Sequence, residues 1–299
     1  KEAPMTSASD PTAAPAFDLV TDGGLDAFVD LRNDVPFAPF TLNFGRESFL
    51  ATDLPRDRFF ARLTGGGPHP TTSQPAPEAF AALYRAAARP VLAVTISAAL
   101  SGSLNAADQA RALAPDVPVT LHDSRTLSGA QALQVHAAMT ARARGLDAAT
   151  AIEWMKRVHD ETELYFTIDT LEYLRRGGRI GRVQATLGGL LQLKPVVTVD
   201  KETAAYATVA RARSWTKALA AIAQQVTDRH GEGTPLRVAF MYGADQEPVE
   251  RVLEYLRERH PIVWSGVAPV GVALAVHTGP VAMGLAAAPG AWPWEREEG

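Results

Sequence analysis

Hydrophobic positions in the first half of the chain switch period repeatedly, from short apolar or alternating runs to Ala-rich stretches with apolar residues every three or four positions. Runs at 17–22, 35–44, 91–97 and 117–123 read as strands. Stretches at 54–63, 77–88, 104–113 and 129–144 read as helices, with a Gly/Pro/Thr loop over 64–75. This alternation predicts a parallel sheet covered on both faces. A helix over 148–159 leads into a second pattern: a strand at 164–169, a short helix stopped by Gly177-Gly178, and a helix over 183–193. Strands at 195–199 and 206–209 are close enough to form a hairpin. Helices at 215–227 and 248–259 and strands at 236–242, 263–269, 272–277 and 281–287 complete a mixed sheet backed by helices.

A chain of 299 residues is about twice a typical single core, so two compact units sharing a cleft are expected. The expected class is α/β, an α/β/α parallel-sheet domain at 17–162 followed by a mixed-sheet α/β domain at 163–288. A flexible lead at 1–16 and a loose tail at 289–299 flank them. No repeat of fixed period interrupts this plan.

Composition narrows the function. Hydrophobic residues make up 46% and charged residues 21%, as in a globular protein with a sizeable interior. Lys plus Arg number 29 against 33 Asp plus Glu, and a net charge of −4 offers no general attraction to nucleic acid or anionic lipid. Without Cys there are no disulfides, thiolate metal sites or Cys nucleophiles, and a cytoplasmic location is expected. The first sixteen residues lack the apolar core of a secretory signal, and Met5 is read as the natural start. Pro269, His277, Pro280 and several Gly break the one long apolar run, 262–288, so it reads as buried strands and no stable membrane insertion is expected. With no coiled-coil signature, a monomer is expected.

Two hydroxyl-rich segments are candidates for anion binding. Thr72-Ser73-Gln74-Pro75 precedes a predicted helix, and Ser97-Ala98-Ala99-Leu100-Ser101-Gly102-Ser103 follows a predicted strand and opens another helix. Each offers hydroxyls and free backbone N–H groups at a helix start, which serve equally as an ordinary cap. Arg175, Arg176 and Arg179 cluster around Gly177-Gly178, where they cap a helix or face an anion, and Arg211 and Arg213 form a second such group. His277 lies between apolar runs, as a core residue or a site residue. The nucleophile-elbow pattern fails around Ser101, because Ala99 and Ser103 stand where Gly is needed. No P-loop, dinucleotide fingerprint or His metal spacing occurs, so neither a cofactor nor a metal is expected.

Taken in order, Thr21-Asp22, Thr72-Ser73-Gln74-Pro75, the 97–103 segment, Asp123-Ser124, Leu-x-x-Leu-x-x-Gly-Gly-Arg-Ile at 171–180, Leu193-Lys194-Pro195, Arg213-Ser214 and His277-Thr278-Gly279 resemble the DegV family of fatty-acid-binding proteins. The resemblance implies a two-domain protein that encloses a long-chain fatty acid and performs no covalent chemistry of its own. It implies that Thr72 and Ser101 hold the carboxylate, with Ser73, Gly102, Arg179, Arg213 and His277 near the head group or a partner surface. It also implies a partner, a dihydroxyacetone-kinase-like fatty-acid kinase that makes acyl phosphate for phospholipid synthesis. Gly23 and Ala98 replace the usual Ser residues of the family, and Asp200-Lys201 replaces its common acidic-Gly turn.

Leu187, Leu190, Leu191 and Leu193, with Ile168 and residues near Val267, are candidates both for a tail channel and for ordinary core packing. Two other functions compete with the carrier. Ser101, His277 and an Asp such as Asp123 would form a serine hydrolase acting on acyl esters if they met in space. A regulatory protein with a structural lipid is the other.

Overall fold

The first half of the computed structural model, which describes residues 14–28, 31, 35–181, 183 and 193–295, follows the alternation of short apolar runs and Ala-rich helices. Its elements are β1 (Asp18–Asp22), β2 (Phe37–Ala38), β3 (Thr41–Phe44), β4 (Glu47–Leu50), α1 (Arg56–Thr64), β5 (Thr71–Ser73) and α2 (Pro77–Ala86). They continue with β6 (Val91–Thr95), α3 (Ser103–Leu113), β7 (Val119–Asp123), α4 (Ser128–Ala143) and α5 (Ala148–Glu161). A parallel sheet has the order β2-β1-β6-β7. All five residues of β6 are buried, as a central strand covered on both faces requires. Val20 and Ala93 pack with Phe80, Tyr84 and Ala107 of α2 and α3, while Leu19, Leu92 and Val94 pack with Val135, Ala138 and Met155 of α4 and α5. The period of two along each strand thus divides the residues between two helical layers.

The second half contains β8 (Glu163–Ile168), α6 (Glu172–Arg176), β9 (Lys194–Val199), β10 (Tyr206–Ala212), α7 (Trp215–His230), β11 (Leu236–Tyr242), α8 (Glu247–Arg257), β12 (Ile262–Pro269), α9 (Val272–Thr278) and β13 (Ala282–Pro289). Its six strands run β10-β9-β8-β13-β11-β12, antiparallel except for the β11/β12 pair. One face packs on α7 and α8 through Leu219, Ile222, Val252 and Leu256. The other receives α4, whose opposite side faces the parallel sheet. Gly129 makes that approach possible, since a Cβ there would stand 2.6 Å from Met241 Sδ. The fold is therefore two-domain α/β, a parallel and a mixed sheet sharing one buried helix.

Several expectations need correction. The run 35–44 is two strands in different sheets: Pro39, which has no N–H to donate, separates β2 on the parallel sheet from β3, and β3 joins β4 and β5 in a three-stranded antiparallel sheet. Thr72 and Ser73 lie on β5, not at a helix start, and α2 begins at Pro77 without a side-chain cap. The apolar run 272–277 is the helix α9, not a strand. Five of its seven residues are buried, and a short segment apolar all round carries no period to separate the two. The tail is packed as far as Glu295. Trp292 is fully buried, Trp294 stacks on Trp154 at 4.4 Å, and Arg237 donates to Glu295. The helix expected over 183–193, with Leu187, Leu190 and Leu191, lies outside the described residues, apart from Val183 and Leu193, as does the lead before Ala14. Ile168 is fully buried, whereas Val267 is exposed and lines none of the cavities described below.

Candidate functional site

Two short segments from different sheets bring their hydroxyls to one cavity. The first is β5, held at the edge of the three-stranded sheet by pairing of Thr72 with Leu42. The second is the connection from β6 to α3, at the carboxyl end of a central parallel strand, where open α/β sheets place ligands. Ser97 shapes that connection. Its N–H donates to Thr126 O at 2.8 Å, its hydroxyl donates to Ala204 O at 2.6 Å, and its carbonyl accepts from Leu100 and Ser101 N–H. Ser101 Oγ then accepts from Ser103 N–H at 3.2 Å and lies 3.1 Å from Ser103 Oγ. Local hydrogen bonding and a place on the cavity wall coexist at this residue. Gly102 lies directly against Gln74: a Cβ there would fall 1.6 Å from Gln74 Oε1, the end of an exposed, flexible side chain. The two hydroxyl segments touch at this point.

The cavity between them has a volume of about 340 Å³. Thr72, Ser73, Ser101, Gly102, Arg179 and His277 are all on its wall, and Phe40, Ile96, Leu100, Leu127 and Leu274 give it an apolar side. Arg179 emerges after Gly178, whose φ of +72° turns the chain out of α6. Its guanidinium donates to Gly177 O at 2.7 Å and to Leu100 O at 3.4 Å, tying the second half of the chain to the Ser101 loop.

His277, in the last turn of α9, reaches Thr72 across 205 residues of sequence, with Nε2 3.0 Å from Thr72 Oγ1. Burial, reinforced by the charges of Arg179 and His69, pushes its pKa down to about 3, so the ring is neutral. A neutral ring with its proton on Nε2 donates to Thr72 Oγ1 and leaves the threonine proton free to donate to an anion. Nδ1 faces Gly177, where a Cβ would stand at 2.0 Å, and it has no hydrogen-bond partner. The Gly-Gly pair thus does more than stop α6: its first glycine makes room for the imidazole.

Arg213 is not brought to the cavity. It is exposed between β10 and α7, where Ser214 caps α7 by accepting from Lys217 N–H. The hydrolase constellation is not assembled either. His277 Nε2 is engaged by Thr72 rather than Ser101, and Asp123 accepts from the N–H groups of Arg125 and Ala98. Among the described residues, no group of three or more His, Asp or Glu is placed to hold a metal, and no helix is long and apolar enough to cross a membrane. Phe40, Tyr206 and Leu274 are wall residues that the sequence reading missed. Tyr206 was legible only as a strand residue, and Leu274 fell in the run misread as a strand. Burial raises the pKa of the Tyr206 phenol against the nearby charge of Arg179, which keeps it protonated.

A family model described as "Uncharacterised protein, DegV family" matches residues 16–290. The chain belongs to the DegV family. A DegV domain-containing protein of Deinococcus radiodurans is 56% identical over 287 residues, covering 95% of this chain and all of the relative. A fatty acid-binding protein of Thermotoga maritima is 29% identical over 237 residues, covering 76% of this chain and 80% of that one. The structure of a fatty-acid-binding DegV family protein from Thermus thermophilus superposes with a TM-score of 0.83 at 32% identity, covering 92% of this chain and 99% of the other. Among DegV proteins, then, fatty acid is a ligand that relatives of this chain are known to bind.

Proposed function

We propose that this DegV chain encloses a long-chain fatty acid, holds its carboxylate between Thr72 and Ser101, and presents it to a fatty-acid kinase without performing covalent chemistry itself. The supporting observation is the shared cavity, whose wall carries the Thr72 and Ser101 hydroxyls and the Arg179 cation together with the apolar side chains of Phe40, Ile96, Leu100, Leu127 and Leu274. That polarity suits an amphiphile. A carboxylate removed from water needs donors, and the Thr72 hydroxyl, the Ser101 hydroxyl and the guanidinium supply them. A palmitoyl chain has about fourteen methylenes, and their burial contributes on the order of 11 kcal/mol before ordering costs. Tail burial supplies affinity, and the polar end fixes orientation.

The kinase is the partner that the family motifs imply, a dihydroxyacetone-kinase-like enzyme that supplies the nucleotide. The carboxylate held here attacks the terminal phosphoryl group of the kinase's nucleoside triphosphate, the nucleoside diphosphate departs, and the acyl phosphate leaves for phospholipid synthesis, a role that fits the expected cytoplasmic location. Arg213, exposed and away from the cavity, suits a partner surface rather than the head group. The hydrolase reading loses support because neither Ser101 nor Asp123 is bonded to His277.

Denaturing extraction of the purified protein followed by lipid mass spectrometry tests the proposal. The expected result is an unmodified long-chain fatty acid that reloads after delipidation. Failure to load any fatty acid, or an acyl group bonded to Ser101, would overturn it.

A further inference from the structure

The second domain reaches the carboxyl edge of the parallel sheet with one short turn, residues 200–205 between β9 and β10. The turn is closed on itself. Asp200 N–H donates to Ala205 O at 2.9 Å, Ala204 N–H donates to Asp200 O at 2.8 Å, and Asp200 Oδ1 accepts from the N–H and the hydroxyl of Thr203 at 2.8 and 2.7 Å. It is also seated on the first domain. Arg125, which follows β7, donates from Nη2 to the carbonyls of Lys201 and Glu202, each at 2.8 Å. Lys201 Nζ in turn donates to the carbonyls of His159 and Thr162 at the end of α5.

The exit of this turn is strained. Ala204 is buried with a φ of +53°, in the left-handed region where a residue bearing a Cβ persists only if its surroundings hold it. In that conformation its carbonyl accepts from the Ser97 hydroxyl at 2.6 Å. Ser97 is fully buried, and its other bonds organise the loop to α3: Oγ accepts from Ala99 N–H at 3.2 Å, and its carbonyl accepts from Leu100 N–H at 3.0 Å and Ser101 N–H at 3.1 Å. A buried hydroxyl left without an acceptor is costly, so the Ser97 proton ties the loop to the turn. The next residues along the chain, Ala205 and Tyr206, line a cavity of about 400 Å³ together with Leu100, Ser101, Gly102 and Arg179, and Tyr206 is also on the wall of the head-group cavity. Where the turn sits therefore bears on where Ser101 sits.

We propose that Ala204 is a positioning residue for the head group: the turn at 200–205, seated by Arg125 and Lys201, holds the Ala204 carbonyl on the Ser97 hydroxyl and so sets the place of Ser101. This extends the fatty-acid reading and rests on it. The left-handed backbone of Ala204 is the part that carries the effect, because the carbonyl direction depends on it and the methyl group does not touch the ligand site.

Palmitate titrations of the delipidated full chain test this. Ala204→Val, whose branched side chain disfavours a positive φ, is expected to weaken palmitate binding by about tenfold, as is Ser97→Ala. Together they are expected to cost about tenfold and not a hundredfold, since both break one bond, whereas Ala204→Val and Thr72→Ala multiply. Ala204→Gly keeps a positive φ accessible and is expected to bind about tenfold more tightly than Ala204→Val. Losses that multiply in the Ser97 pair, or a Gly variant as weak as the Val variant, overturn the proposal. If Ala204→Val does not fold, Asp200→Ala loosens the same turn by removing the Thr203 bonds and takes its place in the cycle with Ser97→Ala. A wild-type chain that loads no palmitate sinks the fatty-acid reading; the crystal structure of the ligand-free Ala204 or Asp200 variant then decides on the turn alone, with Ser101 displaced as the expected result and an unmoved 97–103 loop as the one that overturns it.

Discussion

The two hydroxyl residues Thr72 and Ser101, on the wall of one cavity, are held in opposite ways. Ser101 is fixed locally: its bonds run to Ser103, two residues on, within a loop organised by Ser97. Thr72 is fixed from far away, by His277 at the end of a seven-residue helix from the other domain. One side of the site therefore takes its hydroxyl geometry from bonds within its own loop, a loop that the Ser97–Ala204 and Arg179–Leu100 bonds also tie to the second half of the chain. The other exists only when α9 has docked, and the difference divides the consequences of mutation between ligand binding and domain assembly.

The largest effect expected is on the pair together. Thr72→Ala with Ser101→Ala removes two hydroxyl donors to a charged group, each worth about 1.5–3 kcal/mol, so fatty-acid retention should fall by about a hundredfold or more. The single variants separate the two sides in the ligand-free protein. Thr72→Ala strands His277 Nε2 in a buried site and is expected to cost about 1–3 kcal/mol in chemical denaturation, whereas Ser101→Ala is expected to cost less than about 1 kcal/mol. Equal destabilisation by the two would break the contrast between a local and a distant anchor.

The start of α9 offers the next test. Asp26, four residues past Asp22, is buried and accepts from the Ser128 hydroxyl and from Gly271 N–H at 2.8 Å, joining β1's exit to the first turns of α4 and α9. Arg56 faces it from α1 and donates to the carbonyls of Tyr242, Gly243 and Val270. Burial raises the Asp26 pKa to about 6 despite the Ser128 and Gly271 bonds and the charge of Arg56. A carboxyl whose folded pKa lies above its unfolded value, near 3.9, binds more protons folded than unfolded between those values. Its contribution to stability is thus fully present below about pH 4 and declines as pH rises to about 6, by roughly 3 kcal/mol in all. Asp26→Asn removes that titration. The stability of the variant relative to wild type should rise by about that amount between pH 4 and pH 7, read by denaturation at a series of pH values. A difference that does not change with pH would mean that Asp26 is not the titrating anchor of α9.

How much of this was legible in the chain follows the same local and distant division. The parallel sheet could be read because Val91 to Thr95 is continuously apolar between Ala-rich helices, and the Ser101 loop because its hydroxyls sit directly after that strand. The three polar residues of β5 carry no apolar period, so Thr72 looked like the start of α2; only pairing with Leu42 makes it a strand. Helix α9 is apolar on nearly every side, which erased the distinction between helix and strand. The motifs named Thr72, Ser101, Arg179 and His277 separately, yet the Thr72–His277 bond depends on the docking of two sheets, and no local spacing encodes it. The same is true of Trp292 and Trp294, whose partners Trp154 and Arg237 are supplied by distant elements.

A further contrast comes from two glycines where a side chain would meet opposite consequences. At Gly177 an added Cβ would stand 2.0 Å from His277 Nδ1 and 3.1 Å from Tyr173 O, and neither can yield freely: the ring is buried and the carbonyl is part of α6. Gly177→Ala is therefore expected to cost about 1–3 kcal/mol, as overpacking does, and to displace the imidazole from Thr72. At Gly102 the nearer atom, Gln74 Oε1 at 1.6 Å, is the end of an exposed, flexible side chain, and the backbone at φ −80° suits alanine. Relief of unfolded-chain entropy there offsets the rearrangement of Gln74, so Gly102→Ala should stay within about 1 kcal/mol of wild type. Thermal unfolding of the two ligand-free variants reads this directly. A Gly102 variant as unstable as the Gly177 variant would show that the Ser101 side is no more self-contained than the side that α9 completes.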